Sequence, residues 1–118
     1  MKAGSPRAAA FEAALADASH RLAAGDAAAA MQALERAHVL GQDDLAPHLR
    51  VHLRMLQVGL TSRDWREVRG QVLRIALVPV GHLFGRLPRG NTGGSDVSAF
   101  APMAIPPDIE HLLDNKNS

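Results

Sequence analysis

The chain has 118 residues, a formal net charge of +1, and neither Cys nor Tyr. That length is one domain's worth and admits one modest core; the lack of Cys removes disulfides, thiolate metal sites and cysteine nucleophiles together. A composition rich in Ala and Leu, with one Trp and three Phe, favours helix over sheet, so the expected class is all-α.

Charge is uneven along the chain. Residues 50–90 hold eight Arg against Asp64 and Glu67, while both flanking stretches are acidic. Such a region can meet an anion, but solvated outer faces paired with the acidic ends are the plainer reading. No run reaches the ~18 apolar residues of a membrane span; the longest, Ile75 to Val80, contains Pro79. Glu12 and Asp17 interrupt the apolar run that a signal peptide needs. Cytoplasmic residence is the expectation.

Met1 to Ser5 reads as a loose terminus. Ser5-Pro6 reads as an N-cap followed by Pro at the first helical position. A first helix should run to about Ala24, with Phe11, Leu15 and Leu22 on one stripe. Gly25 stops it and Asp26 caps the next. The second helix, Ala27 to about Leu40, has an inner stripe of Ala27, Met31, Leu34 and His38, so an imidazole stands where an apolar residue is expected. Gly41 to Asp44 is a turn, Asp44 can cap a third helix, and Pro47 falls in its first turn. That helix carries a stripe of Leu45, Leu49, His52/Leu53, Leu56 and Leu60, with His48 and Met55 beside it, and should break over Gly59 to Ser62. Asp64 caps a fourth helix containing Trp65, Val68, Val72, Leu73, Ile75 and Leu77, with Trp65 as a hairpin anchor. Pro79 and Gly81 should kink or end it, with one more turn open over Val80 to Phe84.

A weak repeat relates the two halves: a turn ending in Asp26, and again in Asp64, precedes a helix. Two helical hairpins are too few for an open solenoid, so a compact, TPR-like four-helix unit is expected. After Gly85 the chain is rich in Gly and Pro and cannot form regular structure. It still carries Val97, Phe100, Met103 and Ile105, which a disordered tail seldom keeps. The division is therefore a helical domain over 1–85, then an extended arm and short helix (from Pro107) over 86–118, packed on that domain. Asp114 to Ser118 should fray.

The chemistry concentrates in Glu35-Arg36-Ala37-His38-Val39-Leu40-Gly41-Gln42 and the following Pro47-His48-Leu49-Arg50-Val51-His52. Glu35 and His38 stand at i, i+3, and His48 and His52 at i, i+4; each pair shares a helical face. Two neighbouring helices can aim all four at one point. Imidazole and one carboxylate suit a divalent transition metal: Zn, Ni, Co, Cu or Fe. A Glu-x-x-His turn is also half of a di-iron ligand set, but the second half is missing here. Glu35 can alternatively orient an imidazole rather than bind the ion. The alternative to a metal has His38 donating to a backbone carbonyl, His48 and His52 forming a polar edge, and Glu35 pairing with Arg36, Arg50 or Arg54. Gly90-Asn91-Thr92-Gly93-Gly94 lacks the Lys-Ser/Thr of a P-loop and reads as a turn opening the arm. The arginines around Trp65 have no aromatic platform beside them, so a nucleic-acid partner is not expected.

These strings, with Val51-His52-Leu53-Arg54-Met55-Leu56, the Gly90–Gly94 run and Val97-Ser98-Ala99-Phe100-Ala101-Pro102-Met103-Ala104-Ile105-Pro106, resemble a small uncharacterised bacterial family, domain of unknown function 3703. The likeness spans roughly residues 11 to 113, departing from the family pattern at Ala104. Glu35, His38, His48 and His52 match the family strings; His20, His82 and His111 do not belong to them. The resemblance implies a helical fold without settled activity, and a setting near metal-efflux and heavy-metal-resistance genes.

The preferred expectation is non-enzymatic metal binding through Glu35, His38, His48 and His52, in sensing, sequestration or resistance. The rival is a helical-hairpin interaction module whose apolar arm docks on a partner or on a second copy as a homodimer. A third reading is a small enzyme using the same cluster as acid and base, although no local motif positions a nucleophile.

Overall fold

The computed structural model describes residues 1–85 and 87–114 and is all-helical, with no strand among the described residues. Five helices follow in order: α1 (Pro6–Ala23), α2 (Ala27–Gly41), α3 (Leu45–Ser62), α4 (Trp65–Phe84) and α5 (Pro107–Asp114). The fraying expected from Asp114 onward falls, beyond Asp114, outside the described residues.

Local capping chemistry sets the first boundaries. Ser5 Oγ accepts from Ala8 N at 3.0 Å and Pro6 opens α1, where the missing N–H costs nothing. Gly25 takes φ +81, and Asp26 Oδ1 accepts from Ala29 N at 3.0 Å to start α2. The second hairpin repeats the device: Arg63 is left-handed at φ 55 and Asp64 Oδ1 accepts from Glu67 N at 3.1 Å. Asp44 is the N-cap of α3 but makes no side-chain cap bond. Its carboxylate meets the Met1 amino group and lies 3.6 Å from Arg7 Nη2. Met1 also packs against the core, so the terminus is tied down, not loose.

The hairpins α1–α2 and α3–α4 join through α2 against α3, and α5 returns onto α2 and α1. Small residues at the centre allow this: Ala30 and Ala37 on α2 are fully buried, so neighbouring backbones approach closely. The core gathers Phe11, Leu15, Leu34, Leu40, Val51, Met55 and Ile109.

Two faces differ from the binary pattern. On α3 the buried side is His48, Val51, His52, Met55, Val58 and Gly59, while Leu45, Leu53 and Leu60 are exposed. The helix is therefore turned by about one residue from the leucine stripe, and it runs on through Gly59 to Ser62. A Cβ on Gly59 would stand 3.1 Å from Val68 Cγ2, so the glycine is a close crossing with α4 and not a break. On α4 the buried residues are Glu67, Gln71, Arg74 and Val78, with Trp65, Val72 and Leu73 outside. Trp65 is 61% exposed and not a buried hairpin anchor. Pro79 lies in an uninterrupted α4 that ends at Gly85.

The arm explains the second. Residues 87–106 cross the molecule without regular structure, so their backbone N–H and C=O groups need partners from elsewhere. Gln42 Nε2 donates to Pro88 O at 2.9 Å while its Oε1 accepts from Gly90 N at 3.0 Å. Gln71 Nε2 donates to Gly93 O at 3.0 Å, Ser95 N donates to Glu67 Oε2 at 3.1 Å, and Arg74 Nη2 donates to Val97 O at 2.7 Å. The polar side of α4 is the binding face for the arm's backbone. Of the four apolar anchors expected in the arm, Ile105 packs on the core, but Phe100 is 72% exposed.

Candidate metal centre

Helix α2 brings in His38 near its C-terminal end, and the first half of α3 brings in His48 and His52 one turn apart. All three are buried. One nitrogen from each lies within 4.8 Å of the others, and the ring centroids are 4.8, 4.8 and 5.0 Å apart. His38 Nε2 stands 3.0 Å from His48 Nε2 and 3.1 Å from His52 Nε2.

The outer nitrogens determine what the inner ones can do. His38 Nδ1 lies 2.6 Å from the carbonyl oxygen of Asn91, which only accepts, so Nδ1 carries the proton. His52 Nδ1 lies 2.6 Å from Gln71 Oε1. The Gln71 amide orientation is fixed because its Nε2 donates to Glu67 Oε2 and Gly93 O, both acceptors. His52 is therefore also protonated at Nδ1. Nε2 of both rings is left as a lone pair, and two lone pairs at 3.1 Å cannot form a hydrogen bond.

His48 completes the set. Its Nδ1 is 2.9 Å from His82 Nε2, at the end of α4. With His82 accepting, His48 takes the same tautomer, and three Nε2 lone pairs converge. With the opposite tautomer, His48 donates to His38 and the His52 lone pair still lacks a donor. Burial is the first cause depressing all three imidazoles: His38 falls well below its ordinary value and His52 falls less. His48 is lowered to about 3 by burial and then by the neighbouring His52 and His82. All three shifts favour the neutral imidazole, the form whose facing lone pairs stay unpaired.

A cation relieves the convergence. An ion ~2.05 Å from His38 Nε2 and from a partner nitrogen 3.0–3.1 Å away subtends an angle of about 95°, and opening that pair to a tetrahedron moves its nitrogens by about 0.3 Å; the His48 and His52 ligand nitrogens lie within 4.8 Å of each other. All three imidazoles line a chamber of about 190 Å³ that Val78, Phe84 and Leu87 also border.

Glu35 is not part of this grouping. Its carboxylate lines a separate cleft with Asp64, Glu67 and Asp96, where burial, then Asp96 and Glu67, raise its pKa. The arginines proposed for it are engaged elsewhere: Arg36 on Asp108 and Arg50 on Glu12, with Arg54 on Ser19. His38 does donate to a carbonyl, but that carbonyl belongs to the arm, and the bond aims its second nitrogen inward.

Four supporting residues escaped the sequence reading. Gln71 and His82 share one face of α4 with Val78, a spacing visible in the sequence; Asn91 and Gln42 lie inside the quoted strings. Asn91 is 1% exposed and holds the arm's bend: its Nδ2 donates to Ser98 O and Ala101 O at 2.7 Å each, and its Oδ1 accepts from Gly93 N at 2.8 Å. Gly93, at φ +80, is required by contact as well as conformation, since a Cβ there would sit 2.4 Å from His38 Cδ2. The two distant strings thus meet, one supplying the imidazole and the other the carbonyl and glycine that hold it.

A sequence model of the family described as "Protein of unknown function (DUF3703)" matches residues 5–113. No curated protein and no solved structure matches the chain.

Proposed function

The chain belongs to the family described as Protein of unknown function (DUF3703), and within it we propose a non-enzymatic transition-metal-binding protein that holds one divalent ion on Nε2 of His38, His48 and His52. The observation that carries this is the tautomer set: Asn91 O and Gln71 Oε1 occupy Nδ1 of His38 and His52, so their Nε2 atoms face each other as acceptors, and His48 joins them when His82 Nε2 accepts from its Nδ1. Outer partners of this kind hold metal-binding imidazoles in register. An all-imidazole set favours Zn, Cu, Ni or Co over iron, which usually takes a carboxylate as well. Glu35 is left to the acidic cleft. The helical domain (1–85) supplies the ligands and two of their outer partners, the arm supplies the third through the Asn91 carbonyl, and the role is metal sensing, sequestration or resistance. Equilibrium dialysis against zinc with metal analysis tests this. The expected result is one ion per chain at submicromolar affinity, lost in a His38→Ala/His52→Ala double variant. Binding no tighter than micromolar, or unchanged in that variant, refutes it.

A second reading, self-association of a helical-hairpin module, draws support from the outer apolar residues of α3 and α4. Leu53, Leu60, Trp65, Val72 and Leu73 are each half or more exposed, more apolar surface than isolated positions explain. Sedimentation of the wild type and a Leu73→Glu variant tests it; a monomer in both cases removes it.

A further inference from the structure

Arg74 borders the chamber, carries a full charge and is left unused by the metal reading. It is 8% exposed, and its Nε is buried with no hydrogen-bond partner. Nη1 donates to Gly70 O at 3.2 Å and Nη2 to Val97 O at 2.7 Å, both neutral acceptors. Among the described residues no carboxylate lies within ion-pair distance of it. Arg7, whose Nη2 also lacks a hydrogen bond, differs because Asp44 lies 3.6 Å away. A buried guanidinium without a counter-charge is costly. The cost grows beside the histidines, since the Arg74 charge reaches both His38 and His52. Three neutral imidazoles leave a divalent ion at +2, and Arg74 adds another positive charge. Glu67 offsets one, but its Oε2 is already taken by Gln71 and Ser95.

Beyond the histidines, Arg74, Gln42 and Asn91 the lining is apolar, with Leu77, Val78, Val80, Phe84, Leu87 and Phe100 on it. At about 190 Å³ it is somewhat larger than the ~150 Å³ cavity that accepts benzene. A six-carbon ring or chain with a small head group fits that space.

We propose that the chamber binds a small organic monocarboxylate, its apolar body against Phe84, Leu87 and Phe100 and its carboxylate between Arg74 and the open position on the ion held by His38, His48 and His52. The inference rests on the metal reading for one of its two contacts. The carboxylate would supply the missing negative charge to both cations and an acceptor for Arg74. The hydrocarbon would take the apolar wall, the usual division of labour in a small-molecule site.

Benzoate is the probe, with benzamide as its neutral match in size and inorganic phosphate as an anion lacking an apolar body. Zinc content is measured first, then calorimetric titration of the zinc-loaded full chain with each compound. The expected result is saturable benzoate binding, at least tenfold tighter than benzamide or phosphate and at least tenfold weaker in Arg74→Gln. Because Arg74 also holds the arm, the benzoate-to-benzamide ratio in the unaltered protein stands as a second readout that needs no variant. Zinc uptake with no benzoate binding, or equal binding of benzoate and benzamide, overturns this inference and leaves the metal reading standing. Phosphate binding as tightly as benzoate also overturns it, by showing a plain anion site. No zinc uptake overturns both.

Discussion

Replacing Gly93 by Ala puts one methyl group where the structure has room for none. The new Cβ would stand 2.4 Å from His38 Cδ2 and 2.7 Å from its Nε2, whereas ordinary contact begins near 3.4 Å. The ring or the arm must therefore move by about 1 Å. Holding Ala at φ +80 costs about 1–2 kcal/mol, and overpacking a filled site adds about 1–3 kcal/mol. Together they amount to about 2–5 kcal/mol of lost stability. The displacement matters more for the ion, because ligand distances tolerate only about 0.2 Å; a fall in zinc affinity of tenfold or more is expected. Gly94→Ala is the control. Its Cβ would meet Asp96 Oδ1, the tip of an exposed side chain that can rotate away, and no positive φ is involved. Urea unfolding without metal and zinc competition against a chromophoric chelator read the two effects separately. A Gly93→Ala protein within twofold of wild-type zinc affinity and about 0.5 kcal/mol of its stability would show that the arm does not hold His38 as described.

Gln71→Leu removes the acceptor for His52 Nδ1 and the donor to Gly93 O; zinc affinity should drop roughly 10–100-fold, as for other outer partners of metal-bound histidine, and an unchanged chelator competition would refute it. Asn91→Ala deletes three hydrogen bonds, one buried and two part-buried, and should cost about 2–4 kcal/mol, measured by urea unfolding; a loss under about 1 kcal/mol contradicts the arm's assigned support. Without metal, stability should depend on pH in one direction. The folded pKa values of the three imidazoles lie below the unfolded value, so the unfolded chain binds more protons. Stability is then fullest above about pH 6.5 and falls as pH drops from there toward 3 for His48, at up to about 1.4 kcal/mol per pH unit for each histidine. Unfolding midpoints in chelator that stay level from pH 8 to pH 5 would contradict the buried, neutral cluster. Glu12→Gln, at an exposed ion pair with Arg50, should change stability by less than about 1 kcal/mol.

Local rules were readable and non-local ones were not. Ser5, Asp26 and Asp64 cap within three residues of themselves, so their side chains and the helix starts could be read directly from the chain. The α3 leucines misled because periodicity finds an apolar stripe without saying which stripe is covered. Here α3 buries His48 and His52 instead, and the partners that make this tolerable, His38 and Gln71, come from other elements. On α4 the inversion has the same origin. Its buried Glu67, Gln71 and Arg74 look like a solvated face until an extended arm with unpaired backbone groups lies along them. Spacing brought His38, His48 and His52 together correctly and added Glu35, which shares the α2 turn with His38 but lies around the helix in another cleft. His82 stands 34 residues from His48, beyond any local pattern.

The most direct test of the account is the first coordination shell of the zinc-loaded protein by X-ray absorption, taken together with its His82→Ala and Glu35→Gln variants. The expected spectrum shows three imidazole nitrogens at ~2.0–2.1 Å with the shell filled by an oxygen donor, unchanged in number by either substitution. Fewer than three imidazoles, or a shell that loses its oxygen in Glu35→Gln, would contradict the three-histidine centre.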